Sequence, residues 1–384
     1  MINRVNPVVF LFLTILLMGC KERFEPNLPL VPQGYLVVEG FINAQGPTQI
    51  KLSRTTQLNQ KNIFKAELNA SIKVEGEDNS SFTLSAMAGG LYSGTASINT
   101  QRRYRLRIRT KDSKEYISDF VPVKITPPID SVSWEEEERG VQVYINSHDP
   151  QNKTIYYRYD YDETWEINSA YPALYKVDTI LPRQIRIRET NASDPQIFYC
   201  WKYDTSTNIL LGSSAKLAND VIYKQPINLI PTEDEKIGVR YSIQVRQYAL
   251  DKEGFQFMEQ MKKNTEALGT IFDPQPSLLK GNVRSLSDPN ELVIGFVMAT
   301  TMQQQRIFIS RQQLANRGFN VYAMCDTVRV KNIYDSLASH IPPRWPHYAF
   351  FEGFGITPSS YLISDAPCID CRLRGGINVK PLFW

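Results

Sequence analysis

From Tyr35 onward, apolar and polar side chains alternate along the chain. Tyr35-Leu36-Val37-Val38-Glu39-Gly40-Phe41-Ile42-Asn43 and Thr48-Gln49-Ile50-Lys51-Leu52-Ser53 follow a period of two, the spacing of strands with one face in a core and one in water. Runs of the same kind recur at Ser71 to Glu75, Ser81 to Ser85, Tyr92 to Thr95 and Tyr104 to Arg109. Turn formers such as Gly76-Glu77-Asp78-Asn79 and Gly89-Gly90 separate them. Short strands at intervals of about ten residues predict a sandwich. In the last run, Tyr104, Leu106 and Ile108 form the core face, and Arg105, Arg107 and Arg109 a solvated one.

Thr126-Pro127-Pro128 marks a break, because a proline pair interrupts regular structure. Beyond it, Ser131 to Trp134 and Val141 to Ile145 read as two strands joined by a polar loop, with Glu135 to Glu138 solvated. The run Ile155 to Glu166 is an aromatic-rich strand: Tyr157, Tyr159 and Tyr161 share one face, and Arg158, Asp160 and Asp162 the other. Aromatic side chains on strands are packing material first. Tyr157, Tyr159, Tyr161 and Trp165, with Trp345 and Tyr348, are also the candidate binding aromatics. More strands are expected at Val239 to Tyr248, Leu292 to Ala299 and Arg306 to Ile309.

One segment departs from the two-residue rhythm. Asp251 is an N-cap candidate, Phe255, Met258 and Met261 recur at three-residue steps, and Gly269 can stop the run. This predicts an amphipathic helix of about fifteen residues covering a sheet or closing a domain end. Shorter helices are expected around Arg311 to Arg317 and Lys331 to His340. The predicted fold class is mainly β. Two β-sandwich, immunoglobulin-like domains are expected, at 35–126 and, larger and β-rich, at 127–384. The longer helix and the short ones belong to the second.

The start of the chain has a different pattern. Arg4 is followed by an apolar run from Val8 to Met18 broken only by Thr14, then Gly19-Cys20 and the charged Lys21-Glu22-Arg23. A spanning helix needs roughly 20 apolar residues, so this run reads as a signal peptide over 1–19. Leu17-Met18-Gly19-Cys20 resembles the lipobox of bacterial lipoproteins, which makes Cys20 the lipidation site and the bilayer a partner through its acyl chains. Residues 20–34, with Pro26, Pro29 and Pro32, form an extended lipidated tether.

Composition narrows the functions. The chain has 384 residues, 43 basic and 40 acidic side chains and a formal charge of +3, with no basic stripe interleaved with aromatics as a nucleic-acid groove requires. No nucleic acid is expected as a partner. Beside Cys20 stand Cys200, Cys325, Cys368 and Cys371, an even number that suggests two disulfides with three connectivities open. Cys368-Ile369-Asp370-Cys371 also has the spacing of half a zinc site, but no second pair accompanies it. No metal and no cofactor are expected. G-x-S-x-G, H-E-x-x-H, P-loop and G-x-G-x-x-G spacings do not occur. Ser213-Ser214-Ala215-Lys216 and Ser277-Leu278-Leu279-Lys280 fit S-x-x-K without its companion motifs. The expectation is a protein that is not an enzyme and has no catalytic residues. The terminal Phe383-Trp384 is expected to dock into the core as a closing strand.

Three stretches together resemble a known family: Tyr248-Ala249-Leu250 leading to Lys262-Lys263-Asn264-Thr265, Gly269 to Pro276 with its Asp-Pro-Gln-Pro run, and Cys368 to Trp384. With the lipobox, they are similar to domain of unknown function 4249 of Bacteroidota. The resemblance implies an outer-membrane lipoprotein encoded beside a TonB-dependent transporter, acting as its accessory or binding partner. The alternative is a surface glycan- or protein-binding module independent of a transporter. Lys21-Glu22-Arg23-Phe24-Glu25 follows the acidic tendency of surface display in part, so the cell surface is preferred over the periplasmic leaflet.

Overall fold

The computed structural model describes residues 34–56, 65–177, 185–189, 195–266, 281–315, 325–333, 336–337, 339–341 and 343–384. The predicted signal peptide, Cys20, nearly all of the tether and the Asp-Pro-Gln-Pro run lie outside these residues. The protein is mainly β, with one long helix among the described residues.

The first body is a closed circuit of strands. Arg103–Arg109 pairs with Ser71–Gly76, and pairing continues through Ser81–Ala86, Leu91–Gly94, Thr48–Arg54 and Leu36–Asn43. From there it passes to Ala299–Thr300, then Val121–Lys124, and returns to Arg103–Arg109. Closure removes the open edges that would template association. Leu36, Ile50, Leu52, Ile72, Leu106 and Ile108, all fully buried, fill the interior. They are the apolar positions of the two-residue alternation.

The circuit closes only with residues from far along the chain. Val283–Ser285 pairs with Glu115–Ser118, Val293–Ile294 lies parallel to Leu36–Val37, and Ala299–Thr300 bridges Leu36–Asn43 and Val121–Lys124. Residues 283–300 therefore join the N-terminal body, although the sequence places them with 127–384. Leu292 to Ala299 is not one strand but two residue pairs separated by Gly295–Met298. At Gly295, with φ of +154°, a Cβ would stand 2.4 Å from the Val38 carbonyl oxygen, so only glycine permits the close approach.

In the second body a three-stranded sheet (Ile129–Glu137, Gly140–His148, Val221–Pro231) faces a five-stranded one. The larger sheet orders Tyr199–Thr205, Tyr156–Asn168, Arg240–Leu250 and Met302–Ser310, with Leu210–Ser213 also on Tyr156–Asn168. Val143, Ile145 and Ile230 from one sheet meet Tyr157, Tyr241 and Ile243 from the other. A third, smaller cluster gathers Val330, Tyr361 and Ile363 of the sheet Val328–Lys331, Ser360–Asp365 and Arg344–Phe350.

The expected break at Thr126-Pro127-Pro128 is a tied junction. Thr126 is buried; its amide donates to Thr301 Oγ1 at 2.7 Å and its hydroxyl accepts the Ala249 amide at 2.9 Å. Gln247 Nε2 donates to the Pro127 carbonyl at 2.9 Å. These bonds fix one body against the other. The helix α1, Lys252–Glu266, begins where expected, with Asp251 Oδ1 accepting the Gly254 amide at 2.7 Å. Its buried positions are Gly254 and Phe257, while Phe255, Met258 and Met261 are half-buried. Arg311–Gln313 makes a single short helical turn.

The cysteines pair as Cys200–Cys371 and Cys325–Cys368. The two cysteines of the C-x-x-C segment thus have different partners, which removes the zinc reading. The chain end makes no closing strand. Ile377 exchanges backbone hydrogen bonds with Trp201, and Trp384 then packs edge-on to Phe308 at 5.5 Å, its Nε1 donating to Glu166 Oε2 at 3.3 Å. Leu382 is fully exposed and Phe383 lies over the Arg306 guanidinium at 3.7 Å. A terminal pair of aromatics can bury area across the outside of a sheet without entering its ladder.

His347 is buried and stacked on Tyr171 at 4.3 Å, and its Nε2 has no hydrogen-bond partner among the described residues. Burial lowers its pKa to about 4, because the imidazolium loses hydration without gaining a partner. The unfolded chain takes up this proton first, near pH 6.5. Stability is therefore fully present above about pH 6.5 and falls as pH drops toward 4, by up to about 3 kcal/mol. Denaturant titrations across this window should show that extra loss in the natural chain and its absence in His347→Phe.

Candidate functional site

Between the two bodies and α1 lies a cleft of about 870 Å³, within the size range of small-molecule sites. Its walls have opposite chemistry. Arg158, Asp160 and Asp162 project from the outer face of the Tyr156–Asn168 strand, and Arg246 stands across from Asp160 on the neighbouring strand. Facing them are Phe257, Met258 and Met261 of α1, with Phe296 and Ile294 from the returning segment. Val37 to Gly40 of the first body and the polar loop Thr205 to Asn208 complete the lining.

The polar wall is an ordered charge ladder. Arg246 Nε donates to Asp160 Oδ1, and its Nη1 and Nη2 donate to the two oxygens of Asp162, the latter at 3.0 Å. Arg158 approaches Asp160 at 3.7 Å, and the Tyr248 hydroxyl donates to Asp160 at 3.4 Å. Burial lowers the Arg246 pKa, but hydrogen bonds to Asp162 and the charge of Asp160 more than offset it and the net shift is upward. Tyr248 is raised, first by burial and then by the Asp160 carboxylate. Neither group is poised to exchange protons near neutral pH; the ladder is a fixed array of charge and donors.

The apolar wall is built by helix geometry. Phe257, Met258 and Met261 fall on one face because residues three and four apart stack along a helix. Phe257 packs on Phe296 with ring centroids 5.4 Å apart. At the C-terminal end of α1, Glu266 Oε1 accepts the Ile209 amide at 2.6 Å and ties the polar loop to the helix.

The binding aromatics expected from sequence do not assemble here. Tyr157 and Tyr159 are 0% and 1% exposed, stacked 6.3 Å apart inside the second body. Trp165 is buried, with Lys236 over its ring at 5.0 Å, and Tyr161 donates its hydroxyl to Asn228 at 3.0 Å. These four are packing residues, because their parity on the strand points inward. Trp345 and Tyr348 sit on the small sheet of the third cluster, Trp345 half-buried and Tyr348 exposed. The signal for the site is the other parity of the same strand, where Arg158, Asp160 and Asp162 alternate with the tyrosines. Among the described residues no group of three or more His, Cys, Asp or Glu side chains has the arrangement of a metal site. No helix among them is long and apolar enough to cross a membrane.

The model of the family described as Domain of unknown function (DUF4249) matches residues 21–306. The chain belongs to this family. The match takes in every residue of the cleft in this DUF4249 protein, and Cys200, but stops short of the other three paired cysteines. No curated protein sequence matches the chain. Among solved structures, a candidate carbohydrate-binding protein from Bacteroides uniformis is 11% identical over 56% of this chain and 90% of its own, with a TM-score of 0.15. A candidate membrane-anchored protein from Corynebacterium diphtheriae is 10% identical over 69% of this chain and 61% of its own, with a TM-score of 0.16. Superpositions this poor carry no weight for fold or function.

Replacing Arg246 by Met should destabilise the protein by about 2–3 kcal/mol, because it strands two half-buried carboxylates. Adding Asp160→Asn and Asp162→Asn to that variant should recover part of the loss. Urea unfolding of the natural chain, Arg246→Met and the triple variant measures the loss and its recovery.

Proposed function

We propose that this DUF4249 chain is a non-catalytic lipoprotein of the outer membrane, anchored through Cys20, that acts as a binding accessory of a TonB-dependent transporter. The cleft carries the reading. It opposes an apolar wall to a ladder of paired charges, an arrangement suited to holding a ligand. Its acids at Asp160 and Asp162 accept hydrogen bonds from Arg246. The lipobox at Leu17 to Cys20 and the proline-bearing tether that follows support attachment of this body to a membrane. The same reading takes the second body, three strands facing five, as an immunoglobulin-like sandwich, and prefers the cell surface to the periplasmic leaflet.

A transporter-independent glycan- or protein-binding module is the second reading. It is favoured by the turn after Arg344–Phe350, where Phe354 and Ile356 are fully exposed and Phe351 is half exposed, since exposed apolar groups clustered on one loop mark contact surfaces.

Two measurements on tagged chain from solubilised outer membranes test the proposal. A palmitate analogue should label the natural chain and not Cys20→Ser, and affinity purification should bring down a TonB-dependent transporter. An unlabelled chain, or one recovered without a transporter, contradicts it.

A further inference from the structure

The turn that joins Arg344–Phe350 to Ser360–Asp365 puts apolar side chains into water. Seven consecutive residues, Phe351 to Thr357, are exposed. Phe354 and Ile356 are 109% and 95% exposed, so their side chains stand clear of the body. Phe351 is half exposed, and a fourth apolar group joins from the neighbouring strand. Val328–Lys331 pairs with Ser360–Asp365, and the Asn332 amide donates to the Ser359 carbonyl at 2.9 Å. This brings the exposed Ile333 to the same end of the sheet. Apolar groups clustered this way mark a contact surface.

The size and charge of the turn select what it contacts. A stable protein interface uses about 20–30 residues a side, and the turn, residues 351–359, has nine. A bilayer asks for less, because a chain already held at its surface needs only a few apolar groups to settle at the boundary of headgroups and acyl chains. Glu352 is the one charged residue of the turn, at its start; Gly353 to Ser359 has none, so the tip brings no charge out of water. Two of its amides are already bonded, Gly355 to the Glu352 carbonyl at 3.3 Å and Ser359 to the Phe350 carbonyl at 2.8 Å, which lowers the cost of leaving water. Behind the tip, the exposed Tyr348 has the amphipathic ring suited to the headgroup level. The fourteen residues from Lys21 to Gly34 span at most about 50 Å, so an anchor at Cys20 keeps the body within that distance of the membrane.

We propose that this turn is a second point of contact with the bilayer, with Phe354 and Ile356 entering the headgroup and acyl boundary and Phe351 and Ile333 resting on it. Two attachments, one covalent and one through the turn, give the anchored body a fixed orientation. The inference rests on the reading of the chain as a lipoprotein anchored through Cys20, and it assigns the turn to lipid rather than to a protein or a glycan.

The test places a tryptophan at the tip. Full-length lipoprotein carrying Phe354→Trp is reconstituted into vesicles of phosphatidylethanolamine and phosphatidylglycerol, with and without brominated acyl chains. The natural chain supplies the background emission. Tyr223→Trp, at an exposed position on the second body, supplies the comparison. Brominated lipid should quench the added fluorescence at 354 at least about twofold and leave that at 223 nearly unchanged. Ile356→Asp added to Phe354→Trp should abolish the quenching; both positions lie outside every core, so the variants should melt cooperatively near the natural chain.

Quenching at 354 no greater than at 223, or quenching untouched by Ile356→Asp, would overturn the assignment. If the tip is unquenched while Phe354→Ser with Ile356→Ser loses transporter recovery, the turn is a protein contact instead. Palmitate-analogue labelling of the same preparations separates the two levels. A labelled chain with an unquenched tip loses this inference alone, whereas an unlabelled chain contradicts the anchor on which it rests.

Discussion

One buried hydroxyl holds the two β bodies in register. Thr126 Oγ1 accepts the amide of Ala249 in the second body and donates to the carbonyl of Thr301, while the Thr126 amide donates to Thr301 Oγ1. A threonine hydroxyl can do both at once, and in a site with almost no solvent every one of these bonds is costly to leave unmade. The junction fixes the end of Val121–Lys124, the start of Met302–Ser310 and the end of Arg240–Leu250 against one another. The cleft exists because those three ends are fixed: its charged wall belongs to the second body, part of its apolar wall to the segment that returns to the first.

The Tyr156–Asn168 strand shows how one stretch of sequence serves both core and site. Inward, Tyr157 and Tyr159 fill the space between two sheets. Outward, Arg158, Asp160 and Asp162 meet Arg246 across the ladder. Alternation makes both faces legible as faces, and the strands, the helix and its Asp251 cap are all readable from local pattern. What a local pattern cannot say is which outward face another body will cover. The charged face therefore carries no signal of a site, and the aromatics, chosen by their chemistry, fall on the face that packing claims.

Closure of the first body was equally invisible in the sequence. Val293–Ile294 and Ala299–Thr300 are two residues each, too short to show a period, and their partners lie more than 150 residues away. The cysteines behave the same way: an even count predicts two bridges, but only the fold decides that Cys371 meets Cys200 and Cys368 meets Cys325. Gly376 shows how tight that assembly is, since a Cβ there would stand 2.5 Å from the Cβ of Cys200. The chain end then lies across the outer face of the five-stranded sheet, where Arg240 lies over the rings of Phe308 and Trp384.

Hydrogen exchange at the junction tests most directly whether the two bodies form one preformed cleft. The account predicts that the amides of Thr126 and Ala249 exchange as slowly as those of Ile243 and Val245, which share the Arg240–Leu250 strand with Ala249, and speed up together in Thr126→Val, which keeps the shape but removes the hydroxyl. Exchange at Thr126 and Ala249 as fast as in an exposed linker would contradict it, because the cleft walls would then have no fixed separation.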